Sequence, residues 1–182
     1  MHRLAQRWVS FAIVANFVVV CHVGRTSVGA QALEPGVPPD SLLILPDAMH
    51  ISREARYSGI LKYETADSYP ARRTLTELSR RFAEAGWVTS DEDLFNPPDK
   101  PSARRTWTLV RVNGQTSYTW TGGWKDAAGD MVLINLQNEV ESVDQSPPGS
   151  PMKFSGSVKF EAIRFSASMA DTIRRAFKNR QR

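Results

Sequence analysis

RTWTLVRVNGQTSYTWTGGWKDAAGDMVLINLQ, residues 105–137, holds two reverse turns among three alternating runs, and its register decides the fold. Asn113-Gly114 suits a two-residue type I′ hairpin, in which both central residues need positive φ. With that turn, Val112 faces Gln115, Leu109 faces Tyr118 and Trp107 faces Trp120, because strand side chains repeat every second residue. Counting out from the turn places the last two pairs at non-hydrogen-bonded positions, where facing side chains come closest.

KDAAGDM (125–131) gives an independent check. It suits a three-residue loop with Gly129 in the left-handed region, pairing Asp126 with Asp130. That register sets Trp124 against Val132, Gly122 against Ile134 and Trp120 against Leu136. Both turns put Trp107, Leu109, Tyr118, Trp120, Trp124, Val132, Ile134 and Leu136 on one face. Thr108, Val110, Ser117, Thr119, Thr121, Asn135 and Gln137 fall on the other. So wide an apolar face exceeds what monomers leave in water, and it predicts a core under a helix. A ring platform for a sugar or peptide is the competing reading. It rests on Tyr118, Trp120 and Trp124, with Trp124 protruding where the helix stops covering. Gly122, with no side chain to offer Ile134, marks a bulge or a close approach.

Outward from this meander, SLLILPDA (41–48) reads as a brief buried strand, or alternatively as one helical turn. ARYSGILKYETA (55–66) alternates Tyr57, Gly59, Leu61 and Tyr63 against polar residues, with Ile60 the one apolar residue out of phase. The period then changes. Ser68 as cap, Pro70 in the first turn, and Leu75, Leu78, Phe82 and Ala85 at helical spacing predict a helix over about 70–85. Gly86 and Trp87 follow as a C-terminal stop. Glu77 stands four residues before Arg81. DEDLFNPPDKPSARR (91–105) is a charged, Pro-rich loop. After a Ser-Pro-Gly loop (142–151), Met152, Phe154, Val158, Phe160 and Ala162 share one side of a further strand. Ser168 and Asp171 then open a short C-terminal helix with Met169, Ile173, Ala176 and Phe177 as its stripe.

The first residues differ in kind. Arg3 and Arg7 precede the apolar WVSFAIVANFVVVCHV (8–23), and small residues end in Ala30-Gln31-Ala32. This is the pattern of a secretory signal peptide over 1–32, cut after Ala30 or Ala32. An uncleaved anchor through 8–23 is the alternative, although the run is short of the about 20 apolar residues a spanning helix wants. LEPGVPPD (33–40) reads as a linker, and 41–182 as a single domain. Without 1–32 the chain carries 20 basic and 19 acidic residues, a net +1, so the body gives no general pull toward nucleic acid. The one cysteine, Cys21, lies in the leader. About 150 residues can build a core without disulfides.

The remaining chain holds one histidine, His50, and no cysteine, which leaves no multi-histidine zinc site and no thiol nucleophile. Asp91, Asp93 and Asp99 lack the spacing, central Gly and closing Glu of a calcium loop. No G-x-S-x-G, G-x-x-x-x-G-K or G-x-G-x-x-G occurs. Ser150-Pro151-Met152-Lys153 matches S-x-x-K at a loop-to-strand junction, where the motif's chemistry has no helix to start from. Glu139/Glu141 and Asp126/Asp130 read as solvated pairs rather than an acid/base couple. The basic C-terminus, with six cations from Arg164 on, complements a helix dipole, with contact to anionic lipid the lesser reading.

The sequence therefore predicts an α+β domain: a mainly antiparallel sheet of about five strands, with the helix 70–85 and a short C-terminal helix packed on one face. The functional expectation is an exported module, periplasmic or secreted, that binds or builds in the cell envelope and does not catalyse. The alternative is carbohydrate or peptide recognition at a rim of Tyr118, Trp120 and Trp124; an enzyme without metal or cysteine trails both. No cofactor, metal or nucleic acid is expected. A protein or cell-wall partner is, with membrane contact only through an uncleaved leader and with self-association through an edge strand or the outer β-branched face.

Overall fold

The computed structural model describes residues 38–54, 59–92, 94, 105–141 and 152–180. The leader and most of the linker lie outside the described residues. So do Asp93, Asp99 and Ser150, which bear on the calcium and S-x-x-K readings. Among the described residues three helices and eight strands follow in the order α1 (Asp40–Leu43), β1 (Met49–Glu54), β2 (Ile60–Thr65), α2 (Arg72–Glu84), β3 (Val88–Ser90), β4 (Trp107–Val112), β5 (Gln115–Lys125), β6 (Met131–Glu141), β7 (Lys153–Phe154), β8 (Val158–Phe165) and α3 (Ala167–Arg180). All strands pair antiparallel in one sheet of order β1-β2-β8-β6-β5-β3. β4 lies beside β3 along the same edge of β5, and β7 pairs with the far end of β6.

The α+β expectation stands in this coarse form, and its details need correction. The sheet has eight strands, not about five, and the C-terminal helix, at 14 residues, outruns the 13 of α2. Residues 40–43 form the single helical turn rather than a strand.

The central register is as the turns require. Val112 pairs with Gln115, Leu109 with Tyr118 and Trp107 with Trp120, across a turn in which Asn113 and Gly114 both have positive φ. Trp124 pairs with Val132, Gly122 with Ile134 and Trp120 with Leu136. Gly129 takes φ 92° at the second turn, where the Asp126 N–H donates to the Asp130 carbonyl at 3.1 Å. One cluster gathers Trp120, Trp124, Val132, Ile134 and Leu136 with Leu61, Tyr63, Val158 and Phe160 of the neighbouring strands. α2 closes it with Leu78 and Phe82, and Leu75 packs at the margin. Phe82 stacks on Trp124 at 4.7 Å.

α2 ends as its sequence indicates. Trp87 N–H bonds back to the Phe82 carbonyl and Gly86 N–H to the Ala83 carbonyl, with Gly86 at φ 78°. This is a Schellman closure, and the Trp87 ring returns against Phe82. Its start differs. The side chain of Asp67, not Ser68, accepts from the Thr74 N–H at 2.9 Å and from the Thr74 hydroxyl at 2.8 Å. Arg81 pairs with Glu77 as spaced and also donates to the Ser41 and Ile44 carbonyls, tying α1 to α2.

The second face of the sheet is not uniformly polar. Met131, Leu133, Ile163 and Phe165 alternate with the first-face residues and join Ile60, Leu94 and Ala170 in a separate cluster. α3 lies there, presenting Ala170, Met169 and Ile173. The two longer helices thus cover opposite faces, which corrects the expectation of one shared face. Ser166, not Ser168, caps α3 by accepting the Met169 N–H, and Asp130 accepts the Ala167 N–H at 2.8 Å. Asp40 stitches the body further. Burial pushes its carboxyl up, yet hydrogen bonds and charge from Arg53 and Arg164 outweigh that and hold it below the usual range.

Candidate functional site

Two of the three expected ring residues are enclosed. Trp120 is 5% and Trp124 1% exposed. Phe82 covers Trp124 from one side. The Arg105 guanidinium lies 4.7 Å from the Trp124 ring centre and 5.7 Å from that of Trp120, and it also donates to the Gly123 carbonyl at 3.2 Å. Burial there depresses Arg105, against the opposing charge of Asp91. Neither indole presents a free flat face.

Tyr118 is placed differently. It stands two residues nearer the hairpin turn, outside the core cluster that α2 closes, and remains half-buried. Three further half-buried rings collect around it. Tyr69, from the connection between β2 and α2, stacks on Phe154 of β7 at 4.4 Å and meets Tyr118 at 4.8 Å and Trp107 at 5.3 Å. Phe154 contacts Tyr118 edge-on at 5.7 Å. Offset and edge-to-face contacts of this kind hold rings in fixed mutual orientation. Phe154 reaches the group because it pairs with Val140 on β6 and so shares the face of Tyr118. Met152 and Leu109, at 47% and 46% exposure, extend the apolar surface.

Beside these rings lies an amide that the sequence did not single out. Asn138 is the cross-strand partner of Tyr118 and is fully buried. Its side-chain N–H₂ faces two carbonyls, donating to Ser157 at 2.8 Å and to Ser155 at 3.5 Å, which sets the orientation of the amide. Among the described residues its Oδ1 has no hydrogen-bond partner. A buried acceptor left unpaired costs about 1–3 kcal/mol, so such an atom calls for a donor. Only one signal could have pointed to it: Asn138 falls in phase with Leu136, at a position the pattern reserves for the core.

The groups considered for catalysis lie elsewhere. His50 is exposed on β1, at the opposite edge of the sheet. Asp126 and Asp130 are engaged in their turn and in capping α3. Glu139 pairs with Lys159. Among the described residues no group of three or more His, Cys, Asp or Glu could hold a metal ion, and no helix is long and apolar enough to cross a membrane. Comparison of the chain with protein-family models, with curated proteins and with solved structures finds no match in any of the three.

Proposed function

We propose that the chain is an exported module of the cell envelope or the secreted fraction that binds and does not catalyse, and that its ligand is a carbohydrate. The sugar seats on the ring cluster Tyr69, Trp107, Tyr118 and Phe154, rather than on Trp120 and Trp124. The observation behind this reading is the Oδ1 of Asn138, unpaired among the described residues, beside half-buried rings. A sugar offers what such a place needs, a flat C–H face for the rings and hydroxyl donors for an amide oxygen. Sites of this type are mostly apolar with a few placed polar groups. Reaching Oδ1 requires the rings to part, and two of them sit on short segments, Phe154 on the two-residue β7 and Tyr69 on a connection. Export rests on the leader pattern of residues 1–32.

The test is a titration of the full chain with soluble peptidoglycan fragments and neutral oligosaccharides, read by tryptophan emission, since Trp107 touches the cluster. The expected result is a saturable change. Tyr118→Ala or Asn138→Leu should weaken it at least tenfold, equivalent to about 1.4 kcal/mol, without altering the circular dichroism. No saturable change with any of these sugars, or binding indifferent to both substitutions, would overturn the proposal.

A further inference from the structure

The outer edge of β4 offers a second surface, one that borders the ring cluster at Trp107 and Leu109 but is formed by backbone groups. In a two-residue hairpin the residues flanking the turn exchange backbone hydrogen bonds, and the pattern alternates from there. Val112 flanks the turn opposite Gln115. Val110 and Thr108 therefore also turn their backbone groups toward β5, while Trp107, Leu109 and Arg111 aim theirs outward. Among the described residues no strand pairs with that edge. The opposite edge of the sheet is blunted. On β1 the register shifts between Met49 and Ser52, and His50 sits at φ 55°, a bulge of the kind that discourages pairing. β4 has an unbroken register and no proline, and Leu109 stands exposed on it.

We propose that β4 pairs antiparallel with β4 of a second copy of this chain, about a two-fold axis at Leu109. The three outward-facing residues are their own complement. Pairing centred on Leu109 sets it against the second copy's Leu109, which covers two exposed side chains at once. It also sets Trp107 opposite the second copy's Arg111, and by symmetry Arg111 opposite the second copy's Trp107. A guanidinium against an indole is a favourable contact. On the other face, Thr108 meets Val110, a β-branched pair. Each of the three outward pairs exchanges two backbone hydrogen bonds. Nothing in this arrangement sets like charges face to face, and closed two-fold symmetry leaves no further edge of the same kind. One strand pair alone is small beside the about 1,000 Å² of a stable interface, so the dimer is reversible.

Sedimentation velocity on the full chain from micromolar to millimolar concentration tests this. The expected result is a shift from monomer toward dimer. Leu109→Lys places like charges on the two-fold axis, and Leu109→Pro removes an outward N–H while sparing the β4–β5 ladder. Each should weaken dimerisation at least tenfold with the melting temperature close to that of the parent. Ile51→Lys, on the β1 edge, should leave dimerisation unchanged. Position 109 is exposed, so the lysine variant keeps the test valid even if the proline variant does not fold. A monomer throughout the range, a dimer indifferent to Leu109→Lys, or one lost on Ile51→Lys would each overturn the proposal.

Discussion

Gly122 and Gly123 show how much a pair of residues can fix. A Cβ at Gly122 would lie 2.4 Å from Cη2 and 2.9 Å from Cζ2 of the Trp120 indole, which folds along its own strand over the glycine. A Cβ at Gly123 would lie 2.8 Å from the Ser90 carbonyl oxygen, where β3 pairs with β5. Sequence alone marks a close approach here, but not that the approaching group is the indole two residues away. Gly122→Ala is expected to cost about 1–3 kcal/mol, as overfilling a packed core does, because Arg105 and Trp124 bracket the ring and limit its escape. Denaturant unfolding checks this. A loss below about 0.5 kcal/mol, the range of ordinary surface changes, would mean that the indole moves freely.

The legibility of an element followed its periodicity. Leu75, Leu78 and Phe82 announce α2, and Gly86-Trp87 announces its end, because those signals are local and repeat at helical spacing. Its beginning is not legible in the same way, since Asp67, Ser68 and Thr74 all have side chains able to cap and only the fold chooses among them. Asp67→Ala is therefore expected to destabilise by about 0.5–2 kcal/mol, the usual cost of a lost cap, with Ser68→Ala near neutral. Thermal unfolding of the two variants tests the assignment; equal effects would contradict it. β1 and β3 were illegible for another reason. β1 is exposed along its whole length and β3 spans three residues, so neither carries an alternation to read. The split of β7 from β8 at Ser155–Ser157 hides within one continuous alternation.

For the molecule as a whole, one core was visible in advance and the other was not. The first face follows from the two turns. The second was signalled by Ile60, out of phase in its strand, and by the unbroken run Met131–Ile134, since a strand apolar at consecutive positions is buried on both faces. Read that way, α3 has its own cluster to cover, which is where Ala170 and Ile173 lie. The candidate site was legible in part. Tyr118 and its face were fixed by register, whereas Tyr69, Phe154 and Asn138 come together only through the packing of three separate segments. Likewise nothing in the sequence near Trp124 shows that Arg105 lies over it.

The inward setting of Trp120 and Trp124 beneath α2, fixed by the register of the meander, underlies the first core. Nuclear Overhauser contacts in the labelled full chain test that directly. The expected result is a cross-strand contact between the α-protons of Trp107 and Trp120, facing as a non-hydrogen-bonded pair, together with contacts from the Trp124 indole to the Phe82 ring. A Trp107 α-proton contact to Thr119 or Thr121 instead would place the two indoles on opposite sides of the ribbon and contradict the account.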